Sequence, residues 1–134
     1  MKADVAEAVK FLAAQPNVDR NRIGIAGASY GSSLAIIHAA GDTNIKAVAL
    51  LSPGLNYFGN LATEPPMKTY GARPVLLVAS EDDTESAAVR RLDSLAAGDK
   101  YQTQIYKKGG HGTGIFAAGV GLGKTLLEFF RQNL

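Results

Sequence analysis

Arg22-Ile23-Gly24-Ile25-Ala26-Gly27-Ala28-Ser29-Tyr30-Gly31 changes character partway along. Arg22 to Gly27 has the small and β-branched residues of a short strand, and Ser32 to Ala40 after it has the composition of a helix. Between them Gly27-Ala28-Ser29-Tyr30-Gly31 fits G-x-S-x-G, in which small flanking residues let a strained strand-to-helix turn push a serine hydroxyl out above a sheet, a nucleophile elbow. A glycine-rich helix start with Ser29 as N-cap would give the same five letters without any chemistry. The strand before and the helix after favour the elbow, and the same turn would aim the Tyr30 backbone N–H and a helix N-terminus at a developing oxyanion. That is half of an oxyanion hole.

Outward from this segment, strand and helix patterns alternate. Asp4 to Gln15 carries Val5, Ala8, Val9 and Leu12 at helical spacing, and Pro16 ends it. Lys46–Leu51 and Pro74–Ala79 are near-continuous apolar runs of strand length, as expected for parallel strands covered on both faces. Tyr101–Tyr106 mixes polar residues among β-formers and suits an edge strand with one wetter face. Helices are predicted over Ser86–Ala97, with Val89, Leu92 and Ala96 on one stripe, and over Lys124–Leu134, with Leu126, Leu127, Phe130 and Leu134. About four parallel strands with helices on both faces, an α/β three-layer sandwich, is the economical architecture for this order. The longest irregular stretch, Ser52 to Arg73, reads as a functional loop with room for a short helix.

At 134 residues and 46% hydrophobic, the chain is expected to form a single domain over 1–134. Its 14 basic and 12 acidic residues are scattered, leaving a net charge of +2, so no nucleic-acid partner is expected. Cysteine is absent, which removes thiolate chemistry and cysteine metal sites, and neither a metal nor a cofactor is expected. Met1 to Glu7 lacks the apolar stretch of a signal peptide, and no run approaches the roughly 18 apolar residues of a membrane span, so a cytoplasmic protein without a membrane partner is expected.

A serine nucleophile needs a base, and the two histidines are His38 and His111. His38 lies in the helix after Ser29, more than two turns on, and cannot fold back onto it. His111 sits in Gly109-Gly110-His111-Gly112, just past the last predicted strand, where glycines permit a loop to bring an imidazole over the sheet edge. The acid should follow the preceding strand, and Glu81, Asp82 and Asp83 all do so, with the alternative that Asp83 caps the helix near Ser86. Two nucleotide-binding motifs compete poorly. Ala118 to Thr125 fits a relaxed phosphate loop but has no strong strand before it and no later strand to carry a magnesium-binding aspartate. Gly24, Gly27 and Gly31 make a degenerate dinucleotide loop, but the next strand ends at Leu51-Ser52 without an acidic ribose ligand.

The chain resembles the dienelactone hydrolase-like and prolyl-oligopeptidase-like branch of the α/β-hydrolase superfamily. The resemblance runs through the Asp4–Leu12 helix, Asp19 to Ile25 leading into the elbow, Leu51-Ser52-Pro53-Gly54-Leu55, the Pro74–Asp83 acid turn and the final Gly110-His111-Gly112. It implies a truncated α/β-hydrolase core, because full-length members begin with about four further strands and a loop that gives the second oxyanion-hole N–H. In those families the acid turn reads G-x-x-D; aligning Ser80 with that glycine makes Asp83 the catalytic acid and Asp82 the runner-up. The implied activity is that of a carboxylesterase on small acyl esters, with Ser29, His111 and Asp83 catalytic, the Tyr30 N–H in the oxyanion hole, and Tyr30, Pro53, Gly54 and Leu55 binding substrate; Ser52 to Phe58 is the expected acyl-binding wall. The chain is then either a fragment or a naturally small protein; if it is complete, its first strand would form an exposed sheet edge, which predicts a homodimer or higher homo-oligomer. The alternative is a hydrolase-like binding or assembly domain without catalysis.

Overall fold

The two near-continuous apolar runs take the centre of the sheet. In the computed structural model, which describes residues 1–134, the chain runs α1 (Lys2–Ala13), β1 (Ile23–Ala28), α2 (Tyr30–Gly41), β2 (Ile45–Leu51), β3 (Asn56–Tyr57), β4 (Leu61–Ala62), α3 (Glu64–Tyr70), β5 (Val75–Ser80), α4 (Ser86–Asp93), β6 (Tyr101–Tyr106), α5 (Gly114–Ala117) and α6 (Leu122–Asn133). The order β1-β2-β5-β6 makes a four-stranded sheet, parallel throughout. β5 is buried along its whole length and β2 everywhere but Lys46. Polar Gln102 and Thr103 are exposed on β6, one edge of the sheet, and β1 forms the other.

Alternation along the strands divides the core into two layers. Val48, Leu50, Val75, Leu77 and Ala79 face Ile36, Ala39, Met67, Val89 and Leu92, drawn from α2, α3 and α4. Ala47, Ala49, Leu51, Leu76 and Val78 face Ile115, Leu122 and Phe129 of α5 and α6. Helices therefore cover both faces, as the sequence predicts. α1 buries no residue fully, and no helix is long and apolar enough to cross a membrane.

Several elements differ from expectation. α1 ends at Ala13 rather than Gln15. α6 begins at Leu122 rather than Lys124, and it buries Leu122 and Phe129, whereas Leu127 of the predicted stripe is exposed. α4 ends at Asp93 rather than Ala97, because the Ser94 hydroxyl donates to the Arg91 carbonyl at 2.6 Å and the chain leaves the helix, removing Ala96 from the apolar stripe. The irregular stretch holds a small antiparallel hairpin, β3–β4, and the short helix α3, whose Pro65 and Pro66 sit in the first turn, where a missing N–H breaks no helical bond. Arg73 binds this region to the main sheet. Its guanidinium donates to the carbonyls of Ala39, Asp42 and Ile45 at 2.7–3.1 Å and to that of Tyr70 at 3.2 Å, and it lies 3.8 Å over the Tyr70 ring.

The parallel register brings the C-terminal ends of all four strands to one edge: Ala28 pairs with Leu51, Leu51 with Val78, and Ser80 with Tyr106. The loops that leave these ends carry Ser29, Ser52–Gly54, Glu81–Asp83 and Gly109–Gly112.

Candidate active site

At the end of β1 the backbone turns sharply. Ser29 has φ 54° and ψ −130°, a conformation costing of order 1–3 kcal/mol for a residue with a side chain, and its N–H donates to the Leu51 carbonyl at 2.8 Å. Gly27 makes the turn possible, since a Cβ there would lie 2.3 Å from the Gly31 carbonyl oxygen. Gly31 has open space around it, so the second glycine of the motif is not imposed by crowding. Ser29 occupies the N-cap position of α2, yet its side chain caps nothing. The hydroxyl is instead 2.7 Å from Nε2 of His111. This separates the elbow from the simple helix cap that the same sequence allowed.

His111 comes from the loop after β6, between Gly110 (φ 72°) and Gly112 (φ 57°), both in the left-handed region where a side chain would be strained. Its Nδ1 lies 3.1 and 3.0 Å from the two carboxylate oxygens of Asp83. The Asp83 side chain is 3% exposed and that of His111 46%, so the carboxylate is sealed below while the imidazole meets solvent above. A carboxylate facing Nδ1 keeps the proton there and leaves Nε2 as acceptor for the Ser29 hydroxyl. Asp83 also accepts from the Glu85 N–H at 3.1 Å, but the N-cap of α4 is Glu85.

Asp82 does something else. Its Oδ1 accepts the N–H groups of Gly109 at 3.1 Å and Gly110 at 3.2 Å, and these bonds hold its carboxyl below the usual carboxylate range. On the far side of His111, the Gly112 N–H donates to the Ser52 hydroxyl at 2.9 Å. Ser52 is fully buried with φ 48°. Two side chains from two strand ends thus clamp the histidine loop on either flank, a role that nothing in their sequence context announces.

His38 is held on α2 with Nε2 3.4 Å from an Asp42 oxygen, as a partly buried helix histidine. Thr125 of the glycine-rich loop shares a 3.0 Å hydrogen bond with the Tyr106 hydroxyl and donates to the Gly121 carbonyl at 3.3 Å. Tyr30 is the first residue of α2, so its N–H has no carbonyl partner within the helix. Pro53 and Gly54 are buried, Gly54 beneath the Tyr57 ring, where a Cβ would come within 2.7 Å of ring carbon. Of the expected substrate-binding residues and wall, Tyr30, Leu55 and Phe58 are exposed. The Tyr57 hydroxyl donates to the Ser52 carbonyl at 2.8 Å. Burial, the largest cause, pushes that phenol above its ordinary pKa, with Glu85 and Asp83 adding to the rise.

Residues 2–70, slightly more than half of the chain, match the family model for acetyl xylan esterase (AXE1). A comparison with curated proteins returned no match. Among solved structures, an esterase of Pyrococcus furiosus superposes with a TM-score of 0.82 at 17% identity, over 98% of this chain and 61% of that one. Acetyl xylan esterase 1 of a Thermoanaerobacterium species gives 0.74 at 18% identity, over 96% and 51%. The acylaminoacyl peptidase of Pyrococcus horikoshii gives 0.74 at 22% identity, over 99% and 27%. These likenesses establish an α/β-hydrolase fold, and the chain spans about a quarter to three fifths of the length of these three neighbours.

Proposed function

The chain belongs to the acetyl xylan esterase family, and from there we propose that it is a serine hydrolase that cleaves small acyl esters through Ser29, His111 and Asp83. The observation that carries this is the hydrogen-bonded row from Ser29 Oγ to His111 Nε2 at 2.7 Å and from Nδ1 to Asp83 at 3.0 Å. As Ser29 Oγ bonds to the ester carbonyl carbon, its proton passes to Nε2 and the carbonyl π pair moves onto oxygen, facing the Tyr30 N–H. Asp83 stabilises the imidazolium without taking its proton. Collapse of the tetrahedral intermediate breaks the bond to the alcohol oxygen, which receives the Nε2 proton. Water, deprotonated by the same nitrogen, then releases the acid and restores Ser29.

Labelling with a fluorophosphonate probe tests this. The expected adduct maps to Ser29 and forms far more slowly in His111→Ala, whereas no adduct, or one unaffected by losing His111, would favour a hydrolase-like binding domain.

We further propose that copies of the chain associate through β1. Its outer edge pairs with no strand, and an apolar cleft of about 270 Å³ lined by Val5, Val9, Leu12, Ile23 and Ile25 runs beside it.

A further inference from the structure

Leu51 and Ser52, where β2 ends, are bonded to every part of the site. The Leu51 carbonyl accepts the Ser29 N–H at 2.8 Å, and the Ser52 N–H donates at 2.7 Å to the Val78 carbonyl on β5, the strand that leads to Asp83. The Ser52 carbonyl accepts the Tyr57 hydroxyl at 2.8 Å, and the Ser52 hydroxyl accepts the Gly112 N–H at 2.9 Å. Nucleophile, acid strand, hairpin and histidine loop therefore meet at one dipeptide.

Ser52 holds an unfavourable backbone in this place. Its φ of 48° lies in the left-handed region, where a Cβ crowds the following carbonyl oxygen and glycine would fit without strain. The residue has no exposed surface, so its side chain cannot touch a substrate, and any part it takes in the reaction passes through its neighbours. Gly112 is the neighbour that matters. It is buried, follows His111 directly and packs against the nucleophile: a Cβ on it would stand 3.8 Å from the Ser29 nitrogen. A buried N–H has no water to turn to, so without the Ser52 hydroxyl the loop must either shift toward another acceptor or leave that donor unpaired. A shift there carries His111 with it, and a misplacement of about 1 Å costs about 10²-fold in rate. Asp82 holds only Gly109 and Gly110, which precede His111; the Ser52 bond fixes the side that follows it.

Resting on the esterase function above, we propose that Ser52 is a positioning residue: its hydroxyl keeps His111 over Ser29 through the Gly112 N–H, and the left-handed backbone is retained for the sake of that hydroxyl.

The test measures p-nitrophenyl acetate hydrolysis by the wild-type chain, Ser52→Gly and Ser52→Cys, with active sites counted by fluorophosphonate labelling to completion. Glycine relieves the backbone and removes the hydroxyl; cysteine keeps the size and a weak acceptor. Per labelled site, kcat should fall about 10- to 100-fold in Ser52→Gly with KM changed by less than about twofold, and should fall less in Ser52→Cys. The downfield proton resonance of His111 Nδ1, present in the wild-type chain, should broaden or vanish in Ser52→Gly. A merely structural role gives another pattern: fewer labelled sites and a lower melting temperature, with the wild-type kcat at the sites that remain. That pattern overturns the proposal, as does a Ser52→Gly chain as fast as the wild type or a loss carried by KM. Should Ser52→Gly not fold, Ser52→Cys decides alone, because a wild-type kcat and an unchanged Nδ1 resonance there would overturn the proposal equally. Failure of the esterase function is separately visible: wild-type hydrolysis that does not depend on Ser29 removes that function, and the role of Ser52 with it.

Discussion

Asp82 and Asp83 carry the same side chain one residue apart, yet one binds backbone and the other an imidazole. Their amide variants should separate the two. Asp83→Asn leaves the shape intact but favours the wrong imidazole tautomer, so kcat should fall by about 10³–10⁴. Asp82→Asn only loosens the loop, so its kcat loss should be much smaller and should come with faster amide exchange at Gly109 and Gly110. The pH dependence has a definite sign. A carboxyl held low by hydrogen bonds in the folded state contributes stability that is complete above its unfolded pKa, about 3.9, and is lost as the pH falls through the lower folded value. Thermal unfolding of the wild-type chain should therefore show a loss on acidification below the usual carboxylate range that is reduced in Asp82→Asn. At this scale the sequence was only partly legible. Ser29 and His111 stood out by motif and by their glycine neighbours. The carboxylates Glu81, Asp82 and Asp83 could not be ranked by spacing, since each follows the same strand, and it was family resemblance that singled out Asp83. Tyr57 and Ser52 had no signal of their own, because the hairpin that brings Tyr57 back over Ser52 is built from two-residue strands with no readable period.

Elements were read well where they bury a face and poorly where local hydrogen bonds decide. β2 and β5 lie within a residue of the apolar runs that foretold them, since a strand covered on both sides must be apolar throughout. The end of α4 was set by the Ser94 hydroxyl, a choice invisible to periodicity. Two element-level predictions follow from close contacts. Gly27→Ala would drive a methyl into the Gly31 carbonyl at the head of α2 and should cost more than about 3 kcal/mol in urea unfolding, with loss of the elbow geometry. Arg73→Met keeps length and apolar stem but removes the donors to the Ala39, Asp42 and Ile45 carbonyls at the end of α2 and the start of β2. A loss of about 2–4 kcal/mol is expected.

Across the whole molecule, alternating strands and helices were enough to reach a three-layer α/β fold, because a sheet buried on both faces leaves few other ways to connect parallel strands. The sheet edges behave unequally. β6 is softened by exposed Gln102 and Thr103, whereas β1 presents small and branched residues beside a half-open helix. If copies pair there, Ala26→Lys, which places a charge on the exposed edge strand, should shift the light-scattering mass toward one chain while leaving the circular dichroism unchanged. The hydrolysis of p-nitrophenyl acetate by the purified chain beside Ser29→Ala bears most directly on function. Turnover by the wild-type chain that disappears in Ser29→Ala is the expected result; equal rates in the two proteins, or none in either, would contradict a serine esterase built on Ser29, His111 and Asp83.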